Sequence, residues 1–505
     1  MKESRLDQPR EWVGHWWRPD RPEAISAGVL TYDPEKGVAL RLIGGWSRFA
    51  SSELVRGLVA HYDEIERWPV IHGRSGESEL TIIEPWVSQS IGPYREDPHE
   101  MTLAALTLLD GCHLEAPDSP DFIGASVKVE NLAGWVGRGQ TEVRARSQRT
   151  QLDDEEPRRT VVATLGDVQA RLHSSSDYHS TEFRRDGRRE TRRSEAAVQF
   201  TSDTPRPMNE WFSMTGAVSD LVSLATMTAC ADITISLVLP PAPERFPEGH
   251  LLADRPRVVD VYQLHTVKPD PDGKAAIWND FVVSEADLPW AQLFPAWMDV
   301  RDRFAAARSM VLGLRYITRS YLDSRVVTAV GAAEAFHRAL DTPPPIPPDE
   351  FAKLRALLVG AVPRDRRGWV NDRVAYNEPS LKQRLVELAT RPGAFMTKLV
   401  PDPDRWAKTA ARVRNDLAHR GHAGTDYDLL HAVVEVTSAV VVVNLLKEMG
   451  IPIRRLESAL SEHPEFTWAC TLAQKHFTAP STTEVPEDYP GASEAFVTPP
   501  VPGAS

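Results

Sequence analysis

The sequence predicts an α+β chain, a β-rich amino-terminal region followed by an all-α helical bundle, and three observations carry that reading. Turn signals recur between apolar or alternating runs up to about residue 290. From Trp297 onward the apolar positions take helical spacing instead. Charge divides at the same place: residues 1–299 hold 32 Lys+Arg against 47 Asp+Glu, a balance of −15, whereas residues 300–476 hold 26 against 20, or +6. At 505 residues, two or three domains with real cores are affordable in length. The expected boundaries are 1–292 for the β-rich domain, 297–476 for the bundle and 477–505 for a tail.

In the first domain, Asp33-Pro34-Glu35-Lys36-Gly37 and His72-Gly73-Arg74-Ser75-Gly76 read as turns. So does Pro269-Asp270-Pro271-Asp272-Gly273, between apolar runs at 258–267 and 275–283. One helix is expected at 218–228, ahead of a strand at 233–239 that Pro240-Pro241 ends. Between residues 184 and 193 six of ten residues are arginine, partly offset by Glu182, Asp186 and Glu190. A phosphate-contacting strip and a solvated edge strand both fit that composition.

In the second domain, helices are expected at 300–319 and 321–340, the latter ended by the stiff run Pro343-Pro344-Pro345-Ile346-Pro347-Pro348. A helix at 350–360, a loop at 364–379 and a helix at 380–390 follow. The next helix should run over 404–420, with Asp404 as N-cap and Gly421 just past its end. The run 429–446 is apolar on more than one side and should be the buried helix, closed by Gly450. The tail has six prolines, four acids and no lysine or arginine, and is expected to be disordered.

Composition excludes several classes. The amino end is charged throughout, and no apolar run reaches spanning length, the nearest at 439–443 stopping at Asn444. A soluble, cytoplasmic protein with no membrane partner is therefore expected. Cys112, Cys230 and Cys470 are isolated and odd in number, against both a disulfide framework and a zinc site. His173 and His179 lack a third ligand. No phosphate-cradling glycine loop, dinucleotide fingerprint or nucleophile elbow occurs, so no metal and no cofactor is expected. The net charge of −13 argues against a polyanionic partner for the chain as a whole, but the basic second domain can attract one.

The densest polar chemistry lies at Arg414, Asn415 and His419. Arginine five residues before histidine also occurs at Arg10/His15, Arg56/His61, Arg67/His72 and Arg245/His250, so the spacing alone proves little. Three things set Arg414 apart: Asn directly after it, helices on both sides, and no proline or strand signal inside. Asn415 and His419 share a helix face, whereas Arg414 and His419 lie about 140° apart. They converge only if the helix frays near Gly421 or if a second chain completes the site.

These residues resemble the signature of the HEPN superfamily, arginine, a polar residue, a short spacer and histidine, written here Arg414-Asn415-Asp416-Leu417-Ala418-His419. The segment 321–340, containing Glu334, is similar to the family's earlier helix with its glutamate. Residues 28–37 and 122–135 resemble the domain that precedes HEPN in ApeA-like anti-phage proteins, so the likeness covers most of residues 20–475. The resemblance implies a metal-independent endoribonuclease of an abortive-infection defence system. Its site is expected between the subunits of a homodimer or higher even oligomer, with RNA, tRNA among the candidates, as substrate. A phage-derived trigger is expected at the amino-terminal domain. His419 is the expected acid and base, Arg414 the phosphate ligand and Asn415 an orienting hydrogen-bond partner. Arg412, Arg420, Arg364, Arg366 and Arg367 are candidates for holding the RNA backbone, and equally for solvated faces. Glu334 fits a salt bridge to Arg414 or a supporting role, and His422 could assist. The alternative is a catalytically silent HEPN module that binds RNA or protein.

Overall fold

The computed structural model describes residues 5–47, 53–55, 58–60, 67–92, 97–136, 159–241, 256–270, 272–317, 319–422 and 426–478. Strands β1 (Arg10–Arg18), β2 (Arg21–Asp33) and β3 (Gly37–Ile43) open the chain, followed by a short separate pair, β4 (Glu53–Val55) and β5 (Leu58–Ala60). Then come β6 (Val70–Ser75), β7 (Ser78–Ile83), β8 (Trp86–Ile91), β9 (Glu100–Ala105), β10 (Thr107–Asp110) and β11 (Phe122–Val129). The last five are β12 (Arg159–Leu165), β13 (Val168–Arg184), β14 (Gly187–Arg206), β15 (Asp232–Leu239) and β16 (Arg257–Gln263).

Fourteen of these strands form one sheet, ordered β12-β13-β14-β11-β15-β16-β10-β7-β6-β1-β2-β3-β9-β8 and antiparallel wherever neighbours pair. The expected turn at Asp33 joins β2 to β3: its carboxylate accepts from the backbone N–H of Glu35 and Lys36, and Gly37 supplies the φ of 82° that closes the hairpin. Tyr32 in β2 lies 5.2 Å from Tyr262 in β16, ring centre to ring centre. Five strand spacings separate them in the sheet order, about 24 Å if flat, so the sheet must curl back on itself. The arginine-rich stretch 184–193 forms the tip of the β13–β14 hairpin, with Arg184 opposite Gly187. Its strand side chains lie outside the described residues.

The run 275–283, expected as a strand, is not one. Its backbone groups are used elsewhere: Val282 N–H donates to Ala225 O, and Arg455 donates to Phe281 O and Val282 O. Helices replace a strand partner here.

A short helix α1 (Leu132–Val136) and the long α2 (Met208–Thr226) pack on the sheet, α2 starting well before the expected 218. The helical region opens at Trp290, ahead of the expected 297, with α3 (Trp290–Arg303) and α4 (Ala305–Tyr316). These divide the helix expected at 300–319 at Phe304, whose ring stacks 4.2 Å from Phe336. Next are α5 (Leu322–Ala339), α6 (Pro348–Gly360), a helical turn at Arg364–Arg366, α7 (Arg367–Arg373), α8 (Leu381–Thr390) and α9 (Pro403–Arg420). The last helices among the described residues are α10 (Tyr427–Glu448), α11 (Ile453–Glu462) and α12 (Pro464–Phe477). The expected loop at 364–379 is thus partly helical. The tail from residue 479 lies outside the described residues, while Phe477 itself is buried at the end of α12.

Helix α10 is the centre of the bundle, as its all-round apolarity predicts. Contrary to the sequence reading, it is long and apolar enough to cross a membrane, with mean hydropathy 2.0 over its best window. Asn444 does not interrupt it because that side chain donates to Leu388 O and Val440 O within the core. The same window is 89% buried inside the protein, so the bundle already covers it. Cys112 and Cys230 are buried free thiols and Cys470 is a half-buried one.

Sheet and bundle share one continuous apolar core. Trp290 donates its indole N–H to Ala170 O of β13, and Trp297 donates to Ala217 O of α2. Adjacent residues of α2 then face both ways. Ser219 donates to Asp232 at the start of β15, while Asp220 accepts from Arg308 and Tyr316 of α4.

Candidate functional site

Helix α9 positions the motif. Asp402, rather than the expected Asp404, caps it by accepting from Arg405 N–H, because Pro403 takes the first helical position. Asp404 instead pairs with Lys382 at 2.6 Å. Gly421, at φ 75°, ends the helix as expected. Trp406, Ala407, Ala410, Val413 and Leu417 bury one face of α9 in the bundle.

The opposite face carries polar and basic side chains. Arg405, Lys408, Arg412, Asn415 and His419 are exposed at alternating spacings of three and four. They form a stripe about 21 Å long, basic over its first half and ending at His419. Arg405 and Lys408 were missed by the sequence reading, although the same spacing that found the apolar face would have found them. His419 makes no hydrogen bond or ion pair with any described residue. Arg420 reaches back to Asp416 at 3.2 Å and is largely exposed, and His422 is exposed beyond the cap.

Arg414 sits on the flank of that stripe, half-buried and turned towards α5. Its guanidinium donates to Glu334 Oε2 at 3.3 Å and to Asn415 Oδ1 at 3.2 Å. The expected Glu334 salt bridge is therefore formed. α9 stays helical through Arg420, so fraying does not bring Arg414 and His419 together. Within one chain they remain about 140° apart.

Glu334 opens a longer network that the sequence reading did not find. Arg338, one turn along α5, donates to Glu334 and to Glu378. Glu378 also accepts from Arg384 of α8 at 2.7 Å. Arg384, 4% exposed, donates in turn to Nδ1 of the fully buried His337. Arginine can only donate, so Nδ1 accepts and the other ring nitrogen, Nε2, donates to Glu387. Only the Glu334/Arg338 spacing of four was legible as a helical ion pair; Glu378 and Arg384 reach Arg338 and His337 through tertiary folding.

Arg364, Arg366 and Arg367 do not join this group. All three are exposed on the turn between α6 and α7 and the start of α7, and Arg367 donates to Val362 O and Gly360 O.

A family model described as ApeA N-terminal domain 1 matches residues 11–297, and one described as Apea-like HEPN matches residues 327–454, which include Glu334, Arg414 and His419. No curated protein and no solved structure matches the chain.

Proposed function

Because the chain belongs to the ApeA N-terminal domain family and carries an Apea-like HEPN domain, a pairing that supports an anti-phage HEPN module, we propose that it is a metal-independent endoribonuclease acting in the cytoplasm. The observation that carries the reading is the exposed basic stripe of α9, which leads to an unengaged His419 on the same helix as the half-buried Arg414.

RNA cleavage through the 2′-hydroxyl needs a base for that proton, an acid for the departing 5′-oxygen and a cation for the charge on phosphorus. One protomer offers a single motif histidine, His419. Two protomers related by a two-fold axis offer two, so one His419 takes the 2′-OH proton while the other protonates the 5′-oxygen. The 2′-oxygen forms its bond to phosphorus as the P–O5′ bond breaks, leaving a 2′,3′-cyclic phosphate and a 5′-hydroxyl. Arg414 binds the scissile phosphate. Glu334 fixes one arm of its guanidinium, and Asn415 orients the phosphate or the imidazole. Arg405, Lys408 and Arg412 would track the flanking backbone. The amino-terminal domain would damp the nuclease to a basal rate, the rate read below, until a phage-derived trigger binds.

The test incubates the full chain, His419→Ala and Arg414→Ala with RNA in excess chelator. Cleavage by the unaltered chain and a loss of about 10²- to 10⁴-fold in each variant is expected. Equal cleavage by all three, or abolition by chelator, overturns the mechanism. The engagement of Arg414 by Glu334 favours one rival, a catalytically silent module, which predicts RNA binding without product.

A further inference from the structure

Between the bundle helices α5 and α8 the chain makes an excursion that buries nothing. No residue from 341 to 383 is buried. Asn377 closes its base, accepting from Ile346 N–H and donating to Ile346 O. Within it, α6 and α7 pack on one another, and Leu354, Leu357, Leu358 and Trp369 are 42, 69, 40 and 66% exposed. Short helices owe most of their stability to packing of an apolar face, and here that face meets solvent.

We propose that α6 pairs antiparallel with α6 of a second copy of this chain, forming the arm-to-arm contact of the dimer; this rests on the composite-site reading above. The charges favour self-pairing in that direction. Asp349 and Glu350 occupy the first turn of α6, with Lys353 and Arg355 in the turn that follows, while Arg364, Arg366 and Arg367, offset only by Asp365, follow its other end. An antiparallel pair sets each acidic end against the basic end of its twin, whereas a parallel pair sets like against like. Leu354, midway along the thirteen-residue helix, then falls on the two-fold axis. The arm is also continuous with the site. Glu378, next to the clamp at Asn377, bonds Arg338 and Arg384, and Arg338 bonds the same Glu334 that holds Arg414.

Sedimentation equilibrium on the full chain, on Leu354→Asp/Leu357→Asp and on Leu354→Cys tests this, with RNA cleavage measured in parallel. The expected results are a dimeric parent, a double variant whose dimer dissociates about ten-fold or more readily, and a disulfide-linked Leu354→Cys dimer under mild oxidation. The parent is the control for any cross-link through half-buried Cys470, since Cys112 and Cys230 are buried. A double variant that stays dimeric, with no cross-link at Leu354→Cys, overturns the arm contact; retained cleavage in that case leaves the composite site standing. A parent that cleaves RNA as a monomer overturns both. Unchanged mass with lost RNA binding would assign the arm to RNA and also overturn the proposal.

Discussion

Helices α2 and α6 both link larger units, yet eleven residues of α2 are buried and none of α6 is. The α2 junction joins sheet to bundle through groups that find partners inside the same chain. Asp220 alone receives Tyr316 at 2.7 Å and Arg308, with Arg301 at 3.7 Å. On the arm and along the outer face of α9 the opposite holds: leucines, a tryptophan, cations and His419 face water. The difference teaches where the molecule is complete. Coupling between the two regions is built within one chain, while the proposed chemical end presents its groups to water.

The sharpest way to break that contrast is at Asp220. Asp220→Ala leaves two half-buried guanidiniums and a phenol without their shared carboxylate, and should cost about 3 kcal/mol in thermal or denaturant unfolding. The same truncation at exposed Asp372 on α7 should change stability by less than about 0.5 kcal/mol. Similar losses at both positions would remove the distinction.

A smaller effect should follow pH. Burial pushes the Asp232 carboxyl up to about 7 and the nearby His265 imidazole down to about 4. The folded state holds the Asp232 proton more tightly than the unfolded chain, so this group's contribution is lost as pH rises from about 4 to about 7. His265 has the opposite slope, its contribution falling as pH drops from 6.5 towards 4. The two offset one another. Asp232→Asn should remove the first slope, gaining on the order of 2 kcal/mol at pH 8 and progressively less towards pH 4. Its stability should then rise with pH between 4 and 6.5, where the parent's is flatter. Parallel profiles for the two proteins would contradict this account of the junction.

Much of this architecture was legible locally. The Asp33 to Gly37 turn, the Gly421 cap and the all-apolar α10 each depend on residues close in sequence. What escaped depends on distant partners. The run 275–283 has strand composition, yet Arg455 and Ala225 take its backbone groups. Residues 364–379 read as a loop because they lack an apolar period, and the α7 they contain indeed buries nothing. At the motif, Arg414, Asn415, His419 and Glu334 were singled out from context and resemblance, and of the contacts expected there the Arg414 to Glu334 pair is formed. Arg338 to Glu378 to Arg384 to His337 was invisible, because that chain of contacts crosses three segments. The curl of the sheet, which puts Tyr32 against Tyr262, had no local signal at all.

The central claim is that two histidines from two chains serve one site, and subunit mixing tests it most directly. The full chain and His419→Ala are co-expressed at several ratios, and RNA cleavage is measured per total protein. If both histidines are needed, only parent homodimers cleave, and activity follows the square of the parent fraction. Activity proportional to the parent fraction itself, as when each chain acts alone, would contradict the account.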